Sequence, residues 1–248
     1  MDLGLKGLRA LITGGSKGIG RRCAEILAAE GAQVAICART EADVKATAAE
    51  LGVLGTAVDV SNKDALEAWV KASAEKMNGI DIVIGNVSAL AVVDDEAAWQ
   101  AGFSVDMMHC VRLVNASMPW LEKSGAASIT LVSSVSGREI DFTGPAYGAF
   151  KAALVHYSQG LAYKLAPQGI RANSVSPGNT YFEGGIWDQI ETGNPELFAT
   201  ALGLNPTGRM ATPEEIARGI VFLASPASSF TSGTNLVIDG ALTKGVQL

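Results

Sequence analysis

The chain has 248 residues, 48% of them hydrophobic and 18% charged, and a formal net charge of −6. That composition supplies a large core and excludes disorder; the acidic balance, with no long basic cluster, excludes a nucleic-acid surface. No apolar run reaches the ~18 residues that span a bilayer, and MDLGLKGLRALITGG leads into a glycine turn instead of a cleavage site, so neither a membrane span nor a signal peptide is expected.

Three cysteines (Cys23, Cys37, Cys110) lack metal spacing, and His109 and His156 pair with no Cys-x-x-Cys. Reduced core thiols, no metal site and a cytoplasmic location are expected.

In chain order, short apolar runs at 10–13, 33–38, 56–60, 81–84, 128–133, 171–176 and 235–239 alternate with helical patterns at 18–30, 41–51, 63–77, 97–123, 147–165 and 213–224. Such alternation predicts βαβ units, a parallel sheet and helices on both faces. The strand runs are apolar on nearly every residue, as strands covered on both faces require. No repeat or linker divides the chain, so 1–248 reads as one domain.

The first run, Ala10-Leu11-Ile12, opens into TGGSKGIG and then a helix. Gly14, Gly18 and Gly20 between strand and helix let backbone approach a pyrophosphate, and the helix N-terminus supplies free N–H groups and a positive dipole end. A dinucleotide is the expected ligand. The second run ends Cys37-Ala38-Arg39, with no acidic residue to accept a ribose 2′-hydroxyl. Arg39 offers instead a planar fork of donors suited to a 2′-phosphate, and Lys17 adds a second cation. NADP(H) is expected in preference to NAD(H). Ser61 with Asp64 predicts a capping box for the third helix.

Tyr147 and Lys151 form the only Tyr-x-x-x-Lys in the chain, and Ser134 lies upstream of them. The spacing puts phenol and ammonium on one helix face. A cation ~4 Å away at an effective dielectric of ~20 is worth roughly 4 kcal/mol, enough to make a phenol a useful acid or base near neutral pH. Residues 179–206, after the sixth strand, break the rhythm with Gly184-Gly185, Trp187, Pro195 and Phe198. A substrate lid is expected there.

TGGSKGIG, Asp59-Val60, Asn86, Ser134, Tyr147-x-x-x-Lys151 and Pro177-Gly178 stand in the order and at the separations of the short-chain dehydrogenase/reductases, which the chain resembles from about Leu5 to Gly240. The C-terminal RMATPEEIARGIVFLASPASSFTSGTNLVIDGA resembles the 3-oxoacyl-carrier-protein reductase-like branch. The resemblance implies a single Rossmann-type, doubly wound, seven-stranded parallel sheet. It implies that Ser134 holds a substrate carbonyl oxygen, that Tyr147 exchanges a proton with it, and that Lys151 supports Tyr147 and holds the nicotinamide ribose. It places Ser16 and Ile19 with the loop glycines in the cofactor site. Asp59 and Val60 would line the adenine site, Asn86 would support the sheet, and Pro177, Gly178 and Thr180 would pass the nicotinamide.

Three positions depart from the family pattern. Gly85-Asn86-Val87-Ser88 replaces Asn-Asn-Ala-Gly, and Val87 and Ser88 would narrow the floor near the nicotinamide. Asp106 stands where the family has a catalytic asparagine. An ionised carboxylate accepts hydrogen bonds and donates none; Asp106 either holds a relay water near Lys151 or only caps a kink in its helix. Thr180 comes early after Pro177-Gly178, and Phe182 takes the usual threonine place.

Ser136, Phe142, Tyr181, Phe182 and Trp187 are the pocket candidates, with Val87, Leu90, Ile186 and Phe198 beside them. Their apolar character suits a hydrophobic ketone, a secondary alcohol or an acyl thioester. Met107, Met108, Val111, Leu154, Val155 and Tyr157 exceed what one sheet face can cover, so a dimer or tetramer is expected. The leading function is an NADP(H)-dependent interconversion of ketone and secondary alcohol. The alternatives are a cofactor-binding sensor or scaffold with little turnover, and a family epimerase or dehydratase.

Overall fold

The computed structural model describes residues 2–246. Strand β1 (Arg9–Thr13) is followed by α1 (Gly18–Ala29), β2 (Gln33–Ala38), α2 (Glu41–Leu51), β3 (Leu54–Ala57), α3 (Lys63–Met77) and β4 (Ile82–Gly85). Then come α4 (Glu96–Ala101), a π-helical stretch at Gly102–Met108, α5 (His109–Leu121), β5 (Ser128–Val132) and α6 (Pro145–Leu165). The chain ends with β6 (Arg171–Pro177), α7 (Ile186–Gly193), α8 (Pro195–Gly203), α9 (Pro213–Ala224) and β7 (Asn235–Ile238).

The seven strands form one parallel sheet in the order β3-β2-β1-β4-β5-β6-β7. Strand order reverses at β1, which lies between β2 and β4. In sheets of this kind the crevice at the carboxyl ends of the two middle strands receives the ligand.

Side chains alternate across the sheet as strand geometry demands. Leu11 and Val83 join Trp69, Val70, Leu113 and Leu154 in the layer under α3, α5 and α6. Ala10, Ile12, Ile82 and Ile84 join Leu27, Val44, Ile216 and Ile220 under α1, α2 and α9. Both faces are therefore dry, which is why β1, β4 and β5 read as largely apolar runs. A third, smaller cluster of Trp187, Ala201 and Met210 holds α7 and α8 together, so the excursion after β6 is built of two packed helices. Cys23 belongs to one main layer and Cys37 and Cys110 to the other. All three are free and buried, and burial pushes Cys37 and Cys110 up to about 12 and Cys23 higher still.

Several boundaries differ from the sequence expectation. β3 covers Leu54–Ala57, starting two residues and ending three residues before the expected 56–60, and lies at the sheet edge where one partner strand sets its limits. Asn62 caps α3 by accepting the Ala65 N–H, while the Ser61 hydroxyl donates to Asp59, so the expected Ser61–Asp64 capping box is not formed. The helix expected over 97–123 is interrupted by the π-helical stretch, where α6 packs closely enough that a Cβ on Gly102 would lie 2.6 Å from the Phe150 ring. Leu154, expected on an intersubunit face, is in the core. α9 does carry a complete capping box, with Thr212 and Glu215 each satisfying the other's backbone N–H behind Pro213.

One ion pair ties β1 to the start of β4. The Arg9 guanidinium donates through Nε and Nη2 to both oxygens of buried Asp81, each at 2.7 Å. The Arg9 backbone N–H adds a third bond to Asp81. Arg9→Ala strips this carboxylate of its charged partner, and a loss of roughly 2–4 kcal/mol in urea unfolding is expected. A change too small to resolve would mean that the Ser124 hydroxyl, which donates to Asp81 Oδ1, and the backbone satisfy Asp81 unaided.

Candidate active site

The carboxyl end of β1 opens into the glycine loop. Gly14 and Gly18 take positive φ values of 70° and 56°, a region that favours glycine. Gly20 is demanded by space: a Cβ there would lie 2.2 Å from the Gly14 carbonyl oxygen and 2.6 Å from Asn86 Nδ2. Asn86, just past β4, donates from Nδ2 to the Thr13 and Gly14 carbonyls and so braces the loop from the neighbouring strand. Lys17 precedes α1 with extended backbone and makes no side-chain cap, leaving the first N–H groups of the helix open. These features fit a diphosphate: glycines cleared of side chains, a helix N-terminus and an exposed lysine. Exposed Arg39 at the end of β2 lines the same cavity.

That cavity, about 610 Å³, runs from the glycine loop to α7 and α8. It is lined by Gly14, Ser16, Lys17, Gly18, Ile19, Arg39, Val60 and Asn86, then by Ser134, Ser136, Phe142, Tyr147, Lys151, Pro177, Gly178, Thr180, Phe182 and Trp187. Of the expected cofactor residues, Gly20 lies beneath the loop. Asp59 faces away from the cavity: its carboxylate accepts the Ser61 N–H and hydroxyl. Those bonds, and to a lesser degree the charge of Arg39, hold Asp59 below the usual carboxylate range. Val58 takes its place in the lining.

Tyr181 and Phe198, expected in the pocket, are corrections. The Tyr181 hydroxyl donates to Glu191 at 2.6 Å, with Asp188 3.1 Å away, and its ring packs on Phe198 inside the lid. Phe182 points the other way, its ring above Gly18, 2.6 Å from where a Cβ would stand. Glu139 also turns from the pocket, its carboxylate accepting the Lys244 and Gly245 N–H groups of the C-terminal segment. Sequence reasoning missed Asp141 and Thr143 in the lining; the only signal was their place between Ser134 and Tyr147.

Three elements converge on the catalytic candidates. Ser134 leaves β5 and heads a short turn, its Oγ accepting the Ser136 N–H at 3.2 Å. Tyr147 and Lys151 lie one turn apart on α6, with the ammonium 5.5 Å from the tyrosine ring centroid. The Ser133 hydroxyl, bound to the Lys151 carbonyl, locks α6 to the end of β5. Lys151 Nζ donates to the Val132 carbonyl at 3.2 Å and lies 3.1 Å from Asp106 Oδ1, with both side chains 2% exposed. An ammonium has three donors, so one remains for the cavity that Lys151 lines.

Asp106 comes from the π-helical stretch. Its Oδ2 accepts the Ala89 N–H, and its Oδ1 has no close partner but the ammonium. Burial alone would pull Lys151 down; the Asp106 charge and hydrogen bond, with a contribution from Tyr147, overcome it, and Lys151 is held above its ordinary value. One turn on, His109 is fully buried. Its Nδ1 donates to the Val105 carbonyl, and its Nε2 accepts from Thr13, whose oxygen accepts the Asn86 N–H. This assigns the neutral tautomer, and burial pushes the imidazole down to about 4.

A family model described as enoyl-(acyl carrier protein) reductase matches residues 14–243. Isoepoxydon dehydrogenase of Penicillium expansum is 42% identical over 100% of this chain and 99% of its own length. The chain is a short-chain dehydrogenase/reductase. A 3-oxoacyl-[acyl-carrier-protein] reductase of Vibrio cholerae is 31% identical over 97% of this chain and 99% of its own. Among solved structures, L-sorbose reductase of Gluconobacter frateurii, complexed with NADPH and L-sorbose, superimposes with a TM-score of 0.90 at 28% identity, covering 99% and 100% of the two chains. An NADPH-bound short-chain oxidoreductase of Pseudomonas aeruginosa, described as containing an atypical catalytic center, gives 0.89 at 27% identity over 96% and 98%.

As in its relatives, the chemistry of this short-chain dehydrogenase/reductase is oxidoreduction. Among the described residues, no group of three histidine, cysteine or acidic side chains is placed to hold a metal ion, and no helix is long and apolar enough to cross a membrane.

His109 makes the stability of the site depend on pH. Its folded value, about 4, lies below the unfolded value near 6.5. Above ~6.5 both states are neutral; below it only the unfolded state takes the proton, so stability falls steadily toward pH 4, by about 3 kcal/mol in all. His109→Gln should flatten that slope. Urea midpoints for both proteins between about pH 7 and pH 5 measure it, and parallel slopes would exclude His109 as the source.

Proposed function

We propose that this short-chain dehydrogenase/reductase interconverts a small ketone and a secondary alcohol with NADP(H), with Tyr147 as the proton-exchanging group. The observation that carries the reading is the junction of Ser134, Tyr147 and a buried, fully charged Lys151 on one wall of the cavity. When bound, the nicotinamide supplies or accepts the hydride. The protein's residues deal with the charge and the proton. Ser134 donates to the substrate oxygen and fixes its position. Tyr147 gives that oxygen its proton on reduction and takes it away on oxidation. The remaining Lys151 donor holds the ribose and keeps a positive charge beside the phenol, where negative charge develops.

The chain acts throughout as one catalytic domain, with the lid at 179–206 closing over the substrate. Arg39 and Lys17 favour the 2′-phosphate: β2 runs into an arginine instead of a carboxylate, and the two cations outnumber Asp43 of α2, the one carboxylate lining that end among the described residues. The NADPH complexes of the Gluconobacter and Pseudomonas structures support this preference. The similarity to isoepoxydon dehydrogenase and L-sorbose reductase favours a small ketone over an acyl thioester. A homo-oligomer suits the exposed Trp99 and Phe103, which with Phe150 form an aromatic group on α4, the π-helical stretch and α6.

NADPH should exceed NADH in kcat/KM by about tenfold or more, the worth of one or two charge-assisted bonds, with Arg39→Ala narrowing the gap. A preference for NADH rejects the assignment. Tyr147→Phe should lower kcat by roughly 10²–10⁴ with cofactor binding retained. Bound cofactor without turnover of any ketone by the wild type would favour the sensor reading.

Asp106 acts here as a positioning residue. Without its carboxylate, desolvation is left to pull Lys151 down. Asp106→Asn should therefore move the alkaline limb of the pH–rate profile to lower pH. A profile that keeps its position while kcat falls would leave Asp106 with a packing role only.

A further inference from the structure

The loop between β5 and α6 carries a carboxylate that the proposed mechanism does not use. Asp141 lines the cavity beside Ser136, Phe142 and Tyr147. Its Oδ1 accepts the Thr143 N–H at 2.9 Å and the Thr143 hydroxyl at 2.6 Å, which fixes the group. Its Oδ2 accepts the Ser136 hydroxyl at 2.6 Å. Ser136 Oγ in turn receives the Ser134 hydroxyl at 3.2 Å. The carboxylate is thus one serine removed from the hydroxyl that would hold the substrate carbonyl. An ionised carboxylate accepts about four hydrogen bonds, so Asp141, with three and an exposed side chain, has capacity for another.

Charge sharpens the point. The charged residues lining the cavity are Lys17, Arg39, Asp43, Asp141 and Lys151. The first three lie in the glycine loop, at the end of β2 and in α2, at the dinucleotide end. Lys151 is matched by Asp106. Among the described lining residues, Asp141 is therefore the unmatched charge at the substrate end. It is flanked by the edge-on pair Phe142–Trp187, centroids 5.8 Å apart. A carboxylate in such a wall accepts strongly from a hydroxyl and repels an anion.

We propose that Asp141 and Ser136 form a hydroxyl-recognising subsite, which selects neutral ketones carrying a hydroxyl near the reacting carbonyl over unsubstituted or anionic ones. The substrate hydroxyl donates to Asp141 Oδ2 while the carbonyl oxygen faces Ser134 and Tyr147. This rests on the placement of the carbonyl argued under the proposed function.

The test compares kcat/KM, with NADPH, for acetone against hydroxyacetone, cyclohexanone against its ring-hydroxylated derivatives, and levulinate as an anionic ketone. The wild type should favour the hydroxylated member of each pair by about tenfold or more, through KM. Asp141→Ala should bring that ratio to about one and raise relative turnover of levulinate. Asp141→Asn, which keeps the shape and loses the charge, should lose the bias against levulinate while keeping part of the hydroxyl preference; it serves alone if Asp141→Ala does not fold. No hydroxyl preference in the wild type, or an unchanged ratio in the variants, overturns the subsite. Should the wild type reduce no ketone, the catalytic reading fails separately. The subsite is then read from tryptophan fluorescence with NADPH present. Saturable quenching by hydroxyacetone but not acetone, lost on changing Asp141, supports it, and equal or absent responses overturn it.

Discussion

A buried ammonium is tolerable only beside a buried carboxylate, and the Lys151–Asp106 pair imposes that condition on the whole site. Water is excluded from both groups, so each would be strongly destabilised alone. The pair joins α6 to the π-helical stretch, and the Val132 carbonyl joins it to β5. The position of Tyr147 follows, because it shares a helix face with the lysine. The Ala89 N–H bound to Asp106 extends the same connection to the segment after β4. A change of sign or length at either partner would disturb three elements at once.

The sheet supplies the platform on which this pair stands. Reversal of strand order at β1 parts the loops after β1 and β4, and the cavity lies there. Asn86 and His109 lie behind the gap as neutral braces. One holds the glycine loop by its backbone carbonyls; the other fills the dry space between the π-helical stretch and Thr13. Among the described residues the buried charges are paired, Asp81 with Arg9 and Lys151 with Asp106.

Much of this was legible in the sequence because it follows local periodicity. Tyr147 and Lys151 share a helix face by spacing alone. The glycine loop and Arg39 follow from their place after predicted strands, and the parallel sheet from alternation of two patterns. What was not legible depends on distant packing. A π-helical turn leaves no mark on hydrophobic period, so direct contact between Asp106 and Lys151 could not be read, although the position itself drew notice. Tyr181 and Phe182 are adjacent and both aromatic; only the packing of the lid helices sends one inward to the lid and the other over Gly18. The limits of β3 depend on one neighbouring strand. Asp141 lies in an irregular loop, and nothing in its neighbours told that it would close on Ser136. Glu139 is turned from the cavity by a stretch of chain that lies 105 residues further on.

The distribution of thiols makes the two layers of the molecule separately observable. Cys23 lies on one side of the sheet, Cys37 and Cys110 on the other. In the native state each is shielded and held as the unreactive thiol. An alkylating reagent therefore modifies a given cysteine only when its own layer has opened. Labelling times at Cys23 and Cys110, followed by mass spectrometry, distinguish an opening of the α1–α9 side from an opening of the side that bears α6, with no probe added to the molecule.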